Sequence, residues 1–176
     1  MAIVKKQDWP EPCKLTEAVA ANALASKFDW FRNLVLPNVY LCGGEMDLAV
    51  ITPAGYLWEF EVKMNLSDWK ADANKAKWSH PGRRFVSRFY YVVPEALVEK
   101  EPDFVPPSAG IIKLHHTKWD WRASVVREPK GRRGEKVTPH MREKFHTKSY
   151  FRYWRNRYQN AALELKIEYD GSLEDL

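Results

Sequence analysis

Three residues in the first third of the chain, Pro53-Ala54-Gly55, limit its fold more than any other feature. They separate two β-rich runs, Val39 to Ile51 and Tyr56 to Met64. The glycine can take the left-handed conformation that closes a three-residue hairpin loop. If the loop is centred on Ala54, residues equally far from it on either side face each other. Asp47 and Glu61 each stand seven residues from Ala54, so they become cross-strand partners. The second run alternates, with Trp58, Phe60, Val62 and Met64 on one parity and Leu57, Glu59, Glu61 and Lys63 on the other. This predicts a strand with one apolar face and one charged face.

Directly opposed residues of two antiparallel strands have Cβ atoms about 4.5–5.5 Å apart, a distance at which two carboxylates repel. A divalent cation between them removes the repulsion, and hard ions such as Mg²⁺ take one or two protein carboxylates and fill their other positions with further oxygens. Lys63 lies about 6.6 Å along the strand from Glu61, on the same face. There it can orient a water or offset charge on a phosphorane-like transition state. Two carboxylates and a lysine on one sheet edge suit the cutting of a phosphodiester. The same side chains also suit a salt-bridge ladder on a solvated face. Glu45 and Glu59 share these parities, either as supporting acids or as solvent-facing charges.

The flanking segments supply the rest of an α/β chain. Residues 16–33 are Ala-rich, with Thr16 as N-cap and Val19, Ala23, Leu24 and Phe28 as an apolar stripe, which predicts an amphipathic helix. Asn65 or Ser67 can cap a second helix over about 67–79, with Trp69, Ala73 and Ala76 on its buried side. Arg88 to Val93 and Gly110 to His115 read as strands, separated by a short helical piece near 94–100 and the Pro-rich stretch 102–107. A mixed sheet follows from this order. Trp58, Trp69 and Trp78 fall at core positions. His115-His116 has no acidic neighbour in sequence, and Cys13 and Cys42 lack zinc or disulfide spacing.

Composition narrows the setting. In 176 residues, 45% hydrophobic and 29% charged content is too apolar and too evenly charged for a disordered chain. The opening Met1-Ala2-Ile3-Val4-Lys5-Lys6 lacks the apolar core of a signal peptide, and no run approaches a membrane span. The expectation is a cytoplasmic or nucleoid-associated protein with no membrane partner. Residues 127–158 hold eleven Lys/Arg against three acids, interleaved with Tyr150, Phe151, Tyr153, Trp154 and Tyr158. Such a block suits a polyanion with stackable bases, and Trp119, Trp121 and Trp154 are further candidates for stacking. It equally suits a solvated basic helix face.

Asp47, the hairpin, and Glu59-Phe60-Glu61-Val62-Lys63 together resemble the signature of the PD-(D/E)xK nuclease superfamily. The following Ser67-Asp68-Trp69-Lys70-Ala71-Asp72, Lys77-Trp78 and Arg88-Phe89-Tyr90-Tyr91-Val92-Val93-Pro94 are similar to its MmcB-type, DNA-repair-associated branch. The likeness covers roughly residues 14–130. It departs from the name-giving motif at Met46, where a proline would precede the aspartate. The resemblance implies a restriction-endonuclease-like αβββαβ core with a central mixed sheet flanked by helices, and the onset of the basic block bounds that core at 1–126. A basic C-terminal extension, 127–176, would pack on the same domain.

The resemblance also implies the roles. Asp47 and Glu61 would hold Mg²⁺ or Mn²⁺ with the carbonyl of Val62, Lys63 would be the catalytic lysine, and Glu17 on the first helix would reach the metal through water. The resemblance places Lys75 and Lys77 on the second helix near the scissile phosphate; independently of it, the charge pattern makes Arg132, Arg133, Arg152 and Arg155 of the basic block candidates for holding the DNA backbone. The implied activity is metal-dependent hydrolysis of DNA in repair or recombination, with a homodimer or an accessory protein as further partners. The alternatives are a nuclease-like module that binds nucleic acid without cutting it, and an assembly protein that docks through its basic segment.

Overall fold

A computed structural model of the chain describes residues 13–72, 79–130 and 134–171, the side chains of 162–171 excepted. The Thr16 hydroxyl accepts the Val19 amide at 3.3 Å and opens α1, Glu17–Lys27. The sequence reading carries this helix to 33, but the structure ends it at Lys27. Asp29 takes φ +51, and the Asn33 side-chain amide donates to the Phe28 carbonyl at 2.6 Å, turning the chain into a strand.

Six strands form one sheet in chain order: β1 Leu34–Leu41, β2 Gly44–Ile51, β3 Leu57–Val62, β4 Val86–Pro94, β5 Gly110–His116 and β6 Trp121–Arg127. β3, β4 and β5 run parallel to one another, and the three outer pairings are antiparallel. β1 starts earlier than the sequence suggests and passes through Pro37, which an edge strand tolerates. Its hairpin with β2 turns on Cys42 and Gly43, both at positive φ, as a two-residue loop requires. At Gly43 a Cβ would lie 2.0 Å from the His80 ring, so the turn has room only for glycine. β6 is an addition to the sequence reading.

The central hairpin has the expected register. Leu48, Ala49, Val50 and Ile51 pair with Phe60, Glu59, Trp58 and Leu57, and Gly55 takes φ +86 in the loop. The Thr52 hydroxyl accepts the Tyr56 amide at 3.1 Å and ties the loop's base.

Both sheet faces are covered. On one, Ala20, Ala23 and Leu24 of α1 pack against Leu48, Val50, Phe60, Val62, Tyr90, Val92, Ile112 and Leu114. On the other, Trp69 of the short helix α2, Leu66–Ala71, packs with Tyr91, Val93, Ile111, Val105 and Ala109. Asn65 caps α2, accepting the Asp68 amide at 2.8 Å. The expected continuation of this helix toward 79 runs into 73–78, outside the described residues. The segments Pro81–Phe85 and Glu95–Lys100 are 3₁₀ turns.

The chain divides into two compact units between Lys136 and Val137. Charge alone places the change at 126, but β6 runs through Arg127, and the segment after it stays with the sheet. Lys130 donates its amide to the Ser108 carbonyl at 3.0 Å, and Glu135 to that of Arg84 at 2.9 Å. The second unit carries α3, Pro139–Gly171. Thr138 caps it, its hydroxyl accepting the Met141 amide at 3.2 Å. Among the described residues no helix is long and apolar enough to cross a membrane.

Candidate functional site

The charged parity of β3 is not solvated. Glu59 is fully buried, and Glu61 and Lys63 are each 2% exposed, because α2 and the segment that ends at Ala109 cover that face. A solvent-facing ladder is therefore excluded. Burying three ionisable side chains on one strand is costly unless each finds a partner. Lys63 Nζ donates to Glu61 Oε1 at 3.0 Å and lies 2.9 Å from Asp72 Oδ1, with Asp68 at 3.9 Å. Glu59 pairs with Arg83, from the 3₁₀ turn before β4. Glu45 is exposed.

Asp72 is fully buried, and its other oxygen accepts the Tyr91 hydroxyl at 2.7 Å. Tyr91 is the β4 neighbour of Glu61 in the parallel ladder. Burial first, then the hydrogen bond to Asp72 and the nearby carboxylates, push the Tyr91 phenol far above its usual range, so it stays a proton donor. Neither Asp72, Tyr91 nor Arg83 was singled out from the sequence. One signal existed for Asp72: it stands three residues after the buried Trp69, on the same side of the helix.

Asp47 is half-buried at the edge of this cluster. The β2–β3 ladder stops at Leu48 and Phe60, one residue short of pairing Asp47 with Glu61. There the Asp47 carboxylate accepts the Val62 amide at 2.7 Å. On the β1 side, the ladder pairs Pro37 with Leu48 and Val39 with Met46, and Asn38, at φ +46, stands opposite Asp47 outside regular pairing. Asp47 thus sits where the β2–β3 ladder ends, while the pairing of β2 with β1 continues through Met46, Glu45 and Gly44. An extended residue presents its N–H and C=O to the same side, so the Val62 carbonyl faces Asp47 as well.

This donor set fits a hard cation. Asp47, Glu61 and the Val62 carbonyl offer only oxygen, and a carboxylate that accepts one hydrogen bond keeps further lone pairs. Among the described residues no group of three or more His, Cys, Asp or Glu side chains forms a metal cage.

Glu17 does not join this cluster. It stands exposed in the first turn of α1, and α1 covers the opposite face of the sheet. Its position matches a first-turn acid favoured by the helix dipole. Lys75, Lys77, Arg132, Arg133 and Trp78 lie outside the described residues. Trp121 is also not a free stacking surface: it packs on the α1 core and donates its indole N–H to the Cys13 carbonyl at 2.8 Å. Trp119 is 68% exposed.

In the second unit, Arg152 and Arg155 lie on α3 among Tyr150, Phe151, Tyr153, Trp154 and Tyr158, all exposed. Their rings form a chain of edge and tilted contacts at 5.4–6.3 Å between centroids.

No protein-family model matches the chain, and no curated protein does. Among solved structures it is similar to SPO1766, a protein of unknown function from Silicibacter pomeroyi. The identity is 21%, the match covers 82% of this chain and 93% of that one, and the TM-score is 0.59. At that identity the likeness bears on the fold alone.

Proposed function

We propose that this chain is a metal-dependent DNA nuclease with a restriction-endonuclease-like core of the PD-(D/E)xK type. One observation carries the reading: Lys63 is buried between Glu61 and Asp72, on the sheet face that also presents Asp47 where β2 and β3 part. A sheet gains no stability from burying a lysine among carboxylates rather than apolar side chains. A reaction that must steady a water beside a phosphate does use them.

Hydrolysis adds water across a P–O ester bond and gives a phosphate monoester and a hydroxyl. Asp47, Glu61 and the Val62 carbonyl would hold Mg²⁺ or Mn²⁺, which supplies Lewis acidity and offsets the phosphate charge. Lys63, fixed by Glu61 and Asp72, would orient the attacking water and stabilise charge that develops on the phosphoryl oxygens. Asp72 and Tyr91 act through Lys63 as positioning residues. The cations and aromatic rings of α3 would hold the DNA backbone and stack on exposed bases. The resemblance of the sequence to the MmcB-type branch supports a role in repair or recombination.

A second reading, binding without cutting, is favoured by the exposed aromatic and basic surface of α3. The two separate on labelled single-stranded, duplex, flap and junction DNA incubated with Mg²⁺, Mn²⁺ or EDTA. Cutting in metal lanes alone supports the nuclease. Intact DNA with salt-sensitive binding in every lane supports the binder.

A further inference from the structure

Beside the acidic cluster, the same sheet face holds a cavity of about 400 Å³ to which the chemistry above assigns no ligand. Phe89 and Tyr91 of β4 form its floor, Phe104 and Ser108 come from the segment before β5, and Arg83 and Lys130 complete the lining. We propose that this cavity takes one unpaired nucleotide of the DNA, so that the substrate carries a single-stranded or extruded base next to the cut. The inference rests on the nuclease reading for its purpose, but not for its geometry.

Phe89 and Phe104 offer ring surface for stacking to any base, Tyr91 adds a buried aromatic wall at 1% exposure, and the volume lies in the range of small-ligand pockets. Phe89 and Tyr91 meet edge to face, their centroids 4.8 Å apart, and the Arg83 guanidinium lies 5.4 Å from the Phe89 centroid. Arg83 is ion-paired to Glu59, so it serves as a planar surface more than as a charge. Lys130 is exposed at the rim, held there by the hydrogen bond its backbone N–H donates to the Ser108 carbonyl, and offers a point charge to a phosphate. A base inside a duplex is already stacked and paired, so only an unpaired or extruded one can enter.

The cavity is also coupled to the candidate site. The ring of Tyr91 lines it, while the Tyr91 hydroxyl holds Asp72, which lies 2.9 Å from Lys63. A base stacked on Phe89 bears on Tyr91 through the edge-to-face contact of the two rings, which sets the occupied cavity close to the point of cutting.

The test uses the full chain in EDTA, titrated calorimetrically with deoxyadenosine monophosphate, thymidine monophosphate and 2-deoxyribose 5-phosphate. Both nucleotides should bind, and the base-free sugar phosphate about tenfold more weakly. Ser108→Trp, at an exposed position on the rim, should abolish nucleotide binding, and Phe104→Ala should weaken it about tenfold, both with unchanged melting temperature. Asp47→Asn should bind nucleotide like the wild type. Nucleotide affinity unchanged in Ser108→Trp, or equal for the sugar phosphate, would overturn the proposal even in a protein that cuts DNA. Cavity-dependent binding in a protein that never cuts would uphold the cavity while the nuclease reading fell.

Discussion

Lys63 and Asp72 form a buried ion pair, 2.9 Å between Nζ and Oδ1, that ties the end of β3 to the end of α2. Glu61 accepts a hydrogen bond from the same ammonium, and the Tyr91 hydroxyl fixes Asp72 from the far side. The lysine therefore cannot swing, and its direction is set by two elements rather than by its own rotamers.

Asp72→Asn keeps an oxygen for the Tyr91 hydroxyl and removes the charge facing Lys63. We expect cleavage per folded molecule to fall about tenfold, with DNA affinity unchanged and stability lower by about 1–3 kcal/mol. Cleavage rates corrected for folded fraction, set beside urea unfolding, decide this. A loss of stability with no loss of rate would make Asp72 a structural residue only.

Arg83→Ala leaves Glu59, a fully buried carboxylate, without its guanidinium partner. Removing one member of a buried pair costs about 3–5 kcal/mol. The urea midpoint should drop accordingly, and Arg83→Lys should recover part of the loss. A loss of unfolding free energy below about 1 kcal/mol, taken from the midpoint and slope of the same urea curves, would show that Glu59 is satisfied elsewhere.

The thiol of Cys42 is pushed up from 9.0 to about 11, chiefly by burial and then by the Glu59 carboxylate. The phenol of Tyr90 is raised from 10.0 to about 12, again chiefly by burial. Both groups are held neutral by the fold. Their contribution to stability is full below the unfolded values and is lost as pH rises through the folded ones, over about pH 9 to 12. Urea midpoints at pH 8, 9.5 and 11 should fall progressively, and Tyr90→Phe should flatten the upper part of the curve. In native protein at pH 8, iodoacetamide should label the exposed Cys13 well before Cys42.

The hairpin was legible because a glycine at positive φ and strict alternation fix register locally: Leu48 meets Phe60 as the loop length requires. The order of helix, strands and turns was equally plain. The end of α1 was not, since Asp29 and Asn33 redirect the chain with local bonds that no periodicity reports. The strand character of Leu34 to Pro37 was hidden by its proline, and β6 by its charges. What the alternation of β3 could not reveal was that its charged face is covered. The covering side chains, Trp69, Val105 and Ala109, come from later segments. Asp47 and Glu61 were expected face to face, yet the ladder ends at their neighbours, and Asp47 holds Val62 instead.

The central claim turns on Asp47. Asp47→Asn retains an oxygen for the Val62 amide and removes the charge a cation would need, so the fold should survive while the chemistry does not. Initial rates on the preferred DNA in Mg²⁺, measured at equal fractional binding, should fall at least about 100-fold relative to wild type. Cleavage by Asp47→Asn at the wild-type rate, in protein free of contaminating nuclease, would contradict the account.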